Sequence, residues 1–339
     1  MIDVKVVVGI SGGVDSSVSA LLLKEEGHDV LGITMKLFES NKTDEMIENA
    51  KKVCEEIGIK HFVLDLVNEF REIVINDFIE NYKNGKTPNP CVLCNKYFKF
   101  GLLYEKAKEL GYDYIATGHY VNTENNKLKI CDNNKDQSYF LYGINKDILD
   151  KIIFPLKKFK NKEEIREIAR INNLSVSENK DSQEICFIPN DDYIKYLENY
   201  LEPSKGKIID LNGNILGKHD GLYKYTIGQR KGLGIASKWP LYVCDIDVVN
   251  NQIIVCKNEE LYKDKLIAKN VNLLVKELPT TCMAKIRSRG VMAECEVIYK
   301  DNKLFVTFNE KQRAITKGQS IVLYKDNVCL GGGIIDEIL

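Results

Sequence analysis

Apolar and polar residues alternate along the first 190 residues in two rhythms, which predict strands interleaved with helices. The short apolar runs typical of buried strands lie at residues 5–10, 30–34, 61–65 and 114–116. The segments whose apolar residues recur at helical spacing lie at residues 17–26, 44–57, 70–81 and 96–110. Such alternation predicts an α/β fold with a doubly wound parallel sheet, in which ligands bind at the carboxyl ends of the strands.

The pattern changes after Pro189, where turn residues separate short alternating runs. Asn212-Gly213 and Asp220-Gly221 are dipeptides that favour tight turns between strands. The glycines at 331–333 precede the last strand and favour a kink in a barrel over a phosphate-binding loop. A small β-barrel or sandwich is predicted by the alternating runs at 284–289, 293–299, 304–308 and 320–324.

Composition narrows the class of protein. The chain has 339 residues, 44% of them hydrophobic and 29% charged, which excludes extensive disorder. We see no signal peptide, transit peptide or long apolar span, so we expect a cytoplasmic protein without membrane contact. A formal net charge of −1 gives no global basic field for nucleic acid. Ten cysteines in a chain of this length do not indicate a disulfide framework, and we expect those in apolar runs to be small buried side chains.

The most informative segment, residues 9–17, reads Gly-Ile-Ser-Gly-Gly-Val-Asp-Ser-Ser. It joins a predicted strand to a predicted helix, where free backbone N–H groups and the helix dipole bind a phosphate. Gly12 and Gly13 allow close approach of an anion, and Asp15 is a candidate Mg²⁺ ligand. The hydroxyl donors are Ser11, Ser16 and Ser17. The segment lacks the Lys-Ser/Thr pair of a Walker A loop, and the alternative is an ordinary tight turn of a parallel sheet.

Three cysteines stand apart from the others. Cys91 and Cys94 form a Cys-x-x-Cys pair between a proline-rich loop and a predicted helix, and Cys186 lies shortly before Pro189. The dipole at a helix N-terminus lowers a thiol pKa, so we expect a reactive Cys94. A Cys-x-x-Cys pair is typical of a redox pair, half of a zinc site or cluster ligands. A structural zinc ion needs four ligands, and the sequence has no second such pair and no paired histidines.

Several motifs follow one another in a telling order. They are the glycine loop at 9–17, Asn89-Pro90 with Cys94-Asn95-Lys96, Ala116-Thr117-Gly118-His119-Tyr120, Lys135-Asp136-Gln137-Ser138-Tyr139, Cys186-Phe187-Ile188 and Tyr225-Thr226-Ile227-Gly228-Gln229-Arg230. Nearly from end to end, the chain thus resembles the bacterial tRNA-specific 2-thiouridylases, which are N-type ATP pyrophosphatases. The resemblance implies a nucleotide-binding and thiolation domain over 1–195, a small central α+β domain over 196–265 and a C-terminal β-barrel over 266–339.

The resemblance also implies a reaction, in which ATP adenylates the C2 oxygen of the wobble uridine in tRNA and sulfur then displaces AMP. The implied nucleotide-binding residues are Gly9, Ile10, Ser11, Gly12, Gly13, Val14, Asp15, Ser16, Met35 and Gly118. The implied contacts to the target base and the rest of the tRNA are Asn89, Pro90, Cys91, His119, Lys135, Asp136, Gln137, Arg287, Ser288 and Gln319. The implied cofactors are ATP and Mg²⁺. The implied partners are the tRNA anticodon loop and a persulfide protein or cysteine desulfurase.

One residue departs from the family's common pattern, which has Asp where this chain has Cys91. A thiol is a softer metal ligand than a carboxylate. As catalytic residues, Cys91, Cys94 and Cys186 therefore suit two chemistries, and both stay open here. Either they hold three corners of a 4Fe–4S cluster whose fourth iron carries sulfide, or Cys186 carries a persulfide and Cys94 releases the sulfur by forming a disulfide.

Two other functions explain part of the sequence. An ammonia-using synthetase of the same fold would have the glycine loop, but it would leave the three cysteines unexplained, and we recognise no glutaminase domain. A non-catalytic tRNA-binding protein with a vestigial loop would not need Asp15, Cys94 and Cys186. ATP–pyrophosphate exchange with and without tRNA separates both functions from thiolation.

Overall fold

The computed structural model describes residues 4–132, 135–179 and 185–339, and a parallel sheet forms the centre of the N-terminal half. The strands of this sheet are β1 (Lys5–Gly9), β2 (Asp29–Lys36), β3 (Lys60–Asp65), β4 (Tyr114–Ala116) and β7 (Ile152–Ile153). Their spatial order is β3-β2-β1-β4-β7, so the chain order reverses at β1. The predicted doubly wound α/β sheet is confirmed. Strand β7 escaped prediction because two residues give no periodic signal.

Apart from short 3₁₀ helices, the helices of the described chain are α1 (Val14–Glu25), α2 (Asn41–Ile57), α3 (segments Val67–Phe70, Arg71–Ile75 and Asn76–Lys83), α4 (segments Pro90–Leu93, Cys94–Leu102 and Leu103–Glu109), α5 (Lys162–Ile171) and α6 (Tyr193–Leu197). Helix α2 begins three residues before its predicted start because the Ser40 hydroxyl accepts a hydrogen bond from the backbone N–H of Thr43 at 3.1 Å. At α5, Asn161 provides the predicted cap by accepting from the backbone N–H of Glu164 at 3.1 Å.

Helix α4 differs from its prediction at the N-terminus. Apolar spacing predicts a helix from residue 96, whereas the helix begins at Pro90. Proline suits the first turn of a helix, because a backbone N–H at that position would have no hydrogen-bond partner within the helix. Cys91 and Cys94 therefore lie inside the helix. Its middle segment, Cys94–Leu102, is π-helical, a conformation that occurs often at functional sites.

A second sheet follows along the chain. Its strands are β8 (Gly206–Asp210), β9 (Ile215–His219), β10 (Tyr242–Asp247) and β11 (Gln252–Cys256). Strands β8 and β9 form a hairpin at the predicted Asn212-Gly213 turn, where Gly213 has a φ of 84°. Strand β11 pairs with β8 in parallel, a pairing that the turn residues do not reveal.

The last part of the chain forms an antiparallel barrel. Its strands are β12 (Tyr262–Leu273), β13 (Thr281–Lys285), β14 (Ala293–Lys300), β15 (Lys303–Arg313), β16 (Ser320–Lys325) and β17 (Val328–Ile338). The ring runs β12-β15-β14-β13-β16-β17 and closes where β17 pairs with β12, so the fold is a barrel and not a sandwich. A hairpin of β5 (Asn122–Glu124) and β6 (Lys127–Lys129) joins it at β17. A Cβ on Gly332 would clash with the carbonyl oxygen of Ile321, so this glycine permits close strand packing.

The barrel and the α/β domain share one hydrophobic core. Leu141 from the α/β domain and Val322 from β16 belong to the same buried cluster. The Tyr139 hydroxyl donates to the carbonyl oxygen of Ser320 at 2.9 Å, and the Tyr142 hydroxyl lies 3.1 Å from the Ser320 hydroxyl. These contacts fix the barrel next to the segment that follows the Lys135-Asp136-Gln137 motif.

Candidate active site

A cleft of about 1510 Å³ opens at the carboxyl edge of the parallel sheet. Its walls include Ser11, Phe38 and His119, which follow β1, β2 and β4 respectively. Strand β1 lies between β2 and β4, at the point where the strand order reverses and where open α/β sheets bind their ligands. Residues of α2, α4 and α5 and the barrel loop at 288–290 complete the walls.

The glycine loop has the shape of an anion site. Gly12 has a φ of 64°, and a Cβ there would lie 2.7 Å from the carbonyl oxygen of Met46, so only glycine fits between the loop and α2. Helix α1 begins directly after Gly13. The backbone N–H of Ser11 donates to the Ser16 hydroxyl at 3.2 Å and holds the loop closed. The loop therefore combines backbone donors with the positive end of a helix.

The predicted loop residues divide into those that line the cleft and those that support it. The lining residues are Ser11, Gly12, Gly13, Val14, Asp15 and Ser16. Gly9 ends β1, and Ile10 is buried, so both support the loop from the sheet. Ser17, predicted as a phosphate donor, is buried, and its hydroxyl donates to the carbonyl oxygen of Gly13 at 2.9 Å, so its role is to hold the first turn of α1.

Asp15 has two partners in the cleft. The Tyr120 hydroxyl donates to Asp15 Oδ1 at 2.6 Å, and Lys162 Nζ lies 3.0 Å from Oδ2. The carboxylate predicted as a Mg²⁺ ligand is therefore already paired with a cation. A bound Mg²⁺ would take the place of the Lys162 ammonium beside Asp15. A bound phosphate would in turn attract Lys162 away from Asp15.

Helix α5 also holds the segment that leads toward Cys186. The two terminal nitrogens of Arg166 donate to the carbonyl oxygens of Ser177 and Asn179, each at 2.7 Å. The Asn179 amide in turn donates to the carbonyl oxygen of Gly12 at 3.5 Å. One helix thus connects the phosphate end of the cleft with residues 177–179.

The three thiols differ in accessibility but not in the direction of their pKa shifts. Cys91 and Cys186 are open to the cleft, and Cys94 is buried. Protein surrounds all three on their other sides, and this burial raises the pKa of Cys94 to about 11, that of Cys186 to about 12 and that of Cys91 above its usual value. A thiolate at Cys91 would also raise the pKa of Cys94, and thiolates at Cys94 and Cys91 would raise that of Cys186, so the three thiols are neighbours. The predicted low pKa of Cys94 is wrong because desolvation outweighs the helix dipole.

Lys99 and His119 complete the thiol end of the cleft. Lys99 opposes the effect of burial and lowers the pKa of all three thiols. Burial first, and then Lys99, hold the pKa of His119 well below its usual range. His119 is therefore neutral at pH 7, and its Nδ1 lies 2.8 Å from the Thr117 hydroxyl. As a tRNA contact it would act through a hydrogen bond and not through charge.

Among residues 4–132, 135–179 and 185–339, no three His, Cys, Asp or Glu side chains are placed to hold a single metal ion. The thiolates of a 4Fe–4S cluster bind different irons, so they need not converge on one point. The cluster and the persulfide both stay open for Cys91, Cys94 and Cys186. Mg²⁺ does fit the phosphate end, because Asp15 offers the carboxylate oxygens that this ion prefers.

Lys135, Asp136 and Gln137 all line the cleft. Asp136 accepts from the Ser138 hydroxyl at 2.6 Å, and burial raises its pKa. Gln137 Oε1 accepts from the backbone N–H of Tyr120 at 2.9 Å. Asp136 and Gln137 thus brace the cleft wall, and Lys135 is exposed.

Of the barrel residues predicted to contact tRNA, Ser288 lines the cleft, whereas Arg287 and Gln319 stabilise its surroundings. The Arg287 guanidinium donates to the carbonyl oxygen of Ala314 at 2.7 Å. Gln319 Nε2 donates to the carbonyl oxygen of Thr87 at 2.9 Å and so ties the barrel to the loop before α4.

The other predicted residues pack around the cleft. Asn89 directly precedes α4, and Pro90 is the buried first residue of that helix. Met35 is half-buried and packs against two core clusters. A Cβ on Gly118 would lie 2.8 Å from the backbone nitrogen of Ser16, so glycine lets the end of β4 meet the phosphate loop.

Sequence reasoning missed several polar residues of the cleft, namely Lys42, Asn95, Lys99, Tyr120, Lys162, Lys285 and Arg289. A signal existed for two of them. Asn95 and Lys99 follow Cys91 by four and eight residues, which is the spacing of one helix face. The others reach the cleft only through the tertiary fold.

Comparisons with known proteins cover almost the whole chain. Residues 4–190 match a family model described as the tRNA methyl transferase HUP domain, 194–257 the tRNA methyl transferase PRC-barrel domain, and 263–335 the aminomethyltransferase beta-barrel domain. The chain is 47% identical to the tRNA-specific 2-thiouridylase MnmA 1 of Clostridium tetani, over 98% of this chain and 97% of that protein. This chain belongs to the tRNA-specific 2-thiouridylase family.

A second 2-thiouridylase, from Clostridioides difficile, is 42% identical over 99% of both chains. Among solved structures, the U34-tRNA thiolase NcsA from Methanococcus maripaludis with its 4Fe–4S cluster is 24% identical and has a TM-score of 0.38, over 59% of this chain and 65% of that one. No helix in the described part of the chain is long and apolar enough to cross a membrane.

Proposed function

We propose that this protein converts a uridine of tRNA to 2-thiouridine by adenylation with ATP followed by sulfur transfer. The observation that carries the proposal is a single cleft that holds both a phosphate-binding loop and the thiols of Cys91 and Cys186. An ammonia-dependent synthetase needs the loop but not the thiols, and a tRNA-binding protein needs neither. The names of the 2-thiouridylases described above agree with this chemistry.

Adenylation takes place at the phosphate end. The uridine C2 oxygen attacks the α-phosphorus of ATP, pyrophosphate leaves, and C2 then carries AMP as a leaving group. The N-terminus of α1 and the Lys162 ammonium face the charge that develops on pyrophosphate. Asp15 would hold Mg²⁺, an ion that neutralises phosphate charge when it is bound.

Sulfur transfer takes place at the thiol end, and we derive it from the thiols alone. The accessible Cys186 receives sulfur from a donor and holds it as a persulfide. The terminal sulfur attacks C2, and the bond from C2 to the AMP oxygen breaks. The buried Cys94 then attacks the Cys186 sulfur, 2-thiouridine leaves, and a disulfide remains that a thiol reductant reopens.

The raised thiol pKa values give Lys99 a part in this step. With a pKa of about 11 for Cys94, the thiol is protonated at pH 7, although the thiolate is the nucleophile. The positive charge of Lys99 favours the thiolate and counters part of the effect of burial.

We propose that the anticodon loop enters the cleft beside the barrel. RNA-modifying enzymes take a base out of its stack to reach it, and a cleft of about 1510 Å³ has room for a nucleotide beside ATP. Lys135, Lys285 and Arg289 line it and offer positive charge to phosphates, although the net charge of the chain is −1. Ser288 would contact the tRNA directly, and Arg287 and Gln319 would act through the loops they hold. The reaction would run in the cytoplasm with a persulfide protein or a cysteine desulfurase as sulfur donor.

The test combines two assays on the full chain with unmodified tRNA. ATP–pyrophosphate exchange should require tRNA, and mass spectrometry of the digested tRNA should show 2-thiouridine only when a persulfide donor is added. Exchange that is coupled to ammonia, or tRNA binding with neither exchange nor product, would contradict the proposal.

A further inference from the structure

One buried acceptor at the thiol end of the cleft has no donor among the described residues. Asn95 follows Cys94 on α4, is 3% exposed and lines the cleft. Its amide nitrogen donates to the carbonyl oxygen of Phe140 at 3.1 Å, which fixes the orientation of the amide. Within the described residues, no group donates to Asn95 Oδ1. Buried polar atoms in folded proteins almost always have a partner, so this acceptor indicates a donor that a ligand supplies.

The neighbours of Asn95 limit what that ligand is. Cys94 is the adjacent residue, and Cys91 lies four residues earlier on the same helix. In the proposed mechanism, sulfur passes from Cys186 to C2 of the uridine and Cys94 then attacks Cys186, so the base must lie close to Cys94 and to this part of α4. In uracil, N3 is bonded directly to C2 and carries a hydrogen, and it is the donor of the ring's Watson–Crick edge.

We infer that Asn95 Oδ1 accepts a hydrogen bond from N3–H of the target uracil and so selects uracil for thiolation. The inference rests on the proposed function, since it takes a tRNA uridine as the substrate. Cytosine has an unprotonated N3, which would face Oδ1 with a second acceptor and leave both atoms unpaired. Recognition of a buried polar edge discriminates strongly, because the wrong base leaves the protein's own group unsatisfied.

The test uses a synthetic anticodon stem-loop that carries either uridine or 3-deazauridine at the wobble position. In 3-deazauridine a C–H group replaces N3–H, and C2 with its oxygen remains. The Kd of each stem-loop and the rate of thiolation are measured separately. For the unchanged protein we expect the 3-deazauridine stem-loop to bind about 10-fold or more weakly. In Asn95→Leu this preference should disappear.

Two further variants separate recognition from folding. Asn95→Asp keeps an acceptor and should keep the preference for uridine even if its overall affinity falls. Asn272→Leu is the matched control, because the Asn272 amide also donates to this segment, to the carbonyl oxygen of Tyr142 at 2.6 Å, and it should keep the preference as well.

Three results would overturn the inference. The first is an unchanged preference for uridine in Asn95→Leu, and the second is loss of that preference in Asn95→Asp while the protein stays folded. The third is a raised KM for ATP in Asn95→Leu with an unchanged base preference, which would assign Oδ1 to the adenine amino group. Failure of the proposed function looks different. In that case no 2-thiouridine forms, whereas the effect of Asn95 on the binding preference can still be measured.

Discussion

At one end of the cleft, a glycine loop and the start of α1 offer backbone N–H groups from a single stretch of chain, whereas at the other end the thiols come from α4 and from a distant segment. The phosphate end is thus preformed by local geometry. The thiol end depends on burial, which raises the pKa of Cys186 to about 12, and on Lys99, which opposes that shift. The difference teaches that an anion site can be encoded in nine consecutive residues, whereas thiol reactivity is set by the tertiary environment.

The sharpest way to separate the two ends is to remove one thiol. Cys186→Ser should abolish 2-thiouridine formation, because serine cannot carry a persulfide, and should leave tRNA-dependent ATP–pyrophosphate exchange intact. Cys329→Ser is the control, since Cys329 lies fully buried in the shared core. It should cost about 1–3 kcal/mol of stability and spare the chemistry of the folded protein. Loss of exchange in Cys186→Ser would show that the two ends do not act independently.

The converse change acts on the phosphate end. Lys162→Met should lower the rate of adenylation about 100-fold, because it removes the cation beside Asp15 that we propose faces the leaving pyrophosphate. Binding of tRNA should change little. The exposed Lys160 lies two residues away, and Lys160→Met should have no effect on exchange. Equal exchange rates in the two variants would remove Lys162 from the mechanism.

Removal of Asp15 tests the same end from the other side of the ion pair. Asp15→Ala should stop exchange and thiolation while tRNA still binds, since the carboxylate is the proposed Mg²⁺ ligand. Restoration of exchange by excess Mg²⁺ would support that role. Undiminished thiolation would show that the nucleotide lies elsewhere.

The role of Lys99 predicts a smaller, pH-dependent effect. Because burial puts the pKa of Cys186 at about 12, its alkylation should rise about tenfold per pH unit between pH 7 and pH 9, with no plateau. Lys99→Met removes a positive charge, so it should raise the thiol pKa further and slow alkylation about 3- to 10-fold at a fixed pH. Lys96→Met is the control for loss of a lysine charge from the same helix, because the Lys96 ammonium lies over the Tyr97 ring, 4.9 Å from the ring centre. Mass spectrometry of the Cys186 peptide measures both variants, and equal rates would dismiss the electrostatic role.

The smallest effect concerns the link between the barrel and the thiol end. Gln319→Ala removes the hydrogen bond to the carbonyl oxygen of Thr87 and should cost about 1 kcal/mol of stability. Sulfur transfer should slow a few-fold while exchange stays constant. Gln312→Ala, which removes a hydrogen bond within β15, should leave both rates unchanged.

The sequence predicts the two ends of the cleft unequally. The phosphate loop is predictable because its glycines and the start of α1 are adjacent in sequence. The burial of the Ser17 hydroxyl is not predictable from the same residues. The high pKa of Cys94 is not predictable, because it arises from residues far apart in sequence that exclude water. The hydrogen bond from the Ser138 hydroxyl to Asp136 is local, yet the sequence does not reveal it, and contact of Asp136 with tRNA stays a prediction. Closure of the barrel depends on the pairing of β12 with β17, which no local sequence pattern predicts.

The core shared by Leu141 and Val322 bears on how far this protein can be divided. Three family models match successive segments, as if the chain were a string of modules. Yet Val322, Tyr324 and Cys329 of the barrel complete a cluster that belongs equally to the α/β domain. A shortened chain that ends before the barrel would expose that apolar surface to water, and the adenylating half would be prone to aggregate. The segments that the three family models match are therefore not independent folding units, because the barrel completes the core of the adenylating domain.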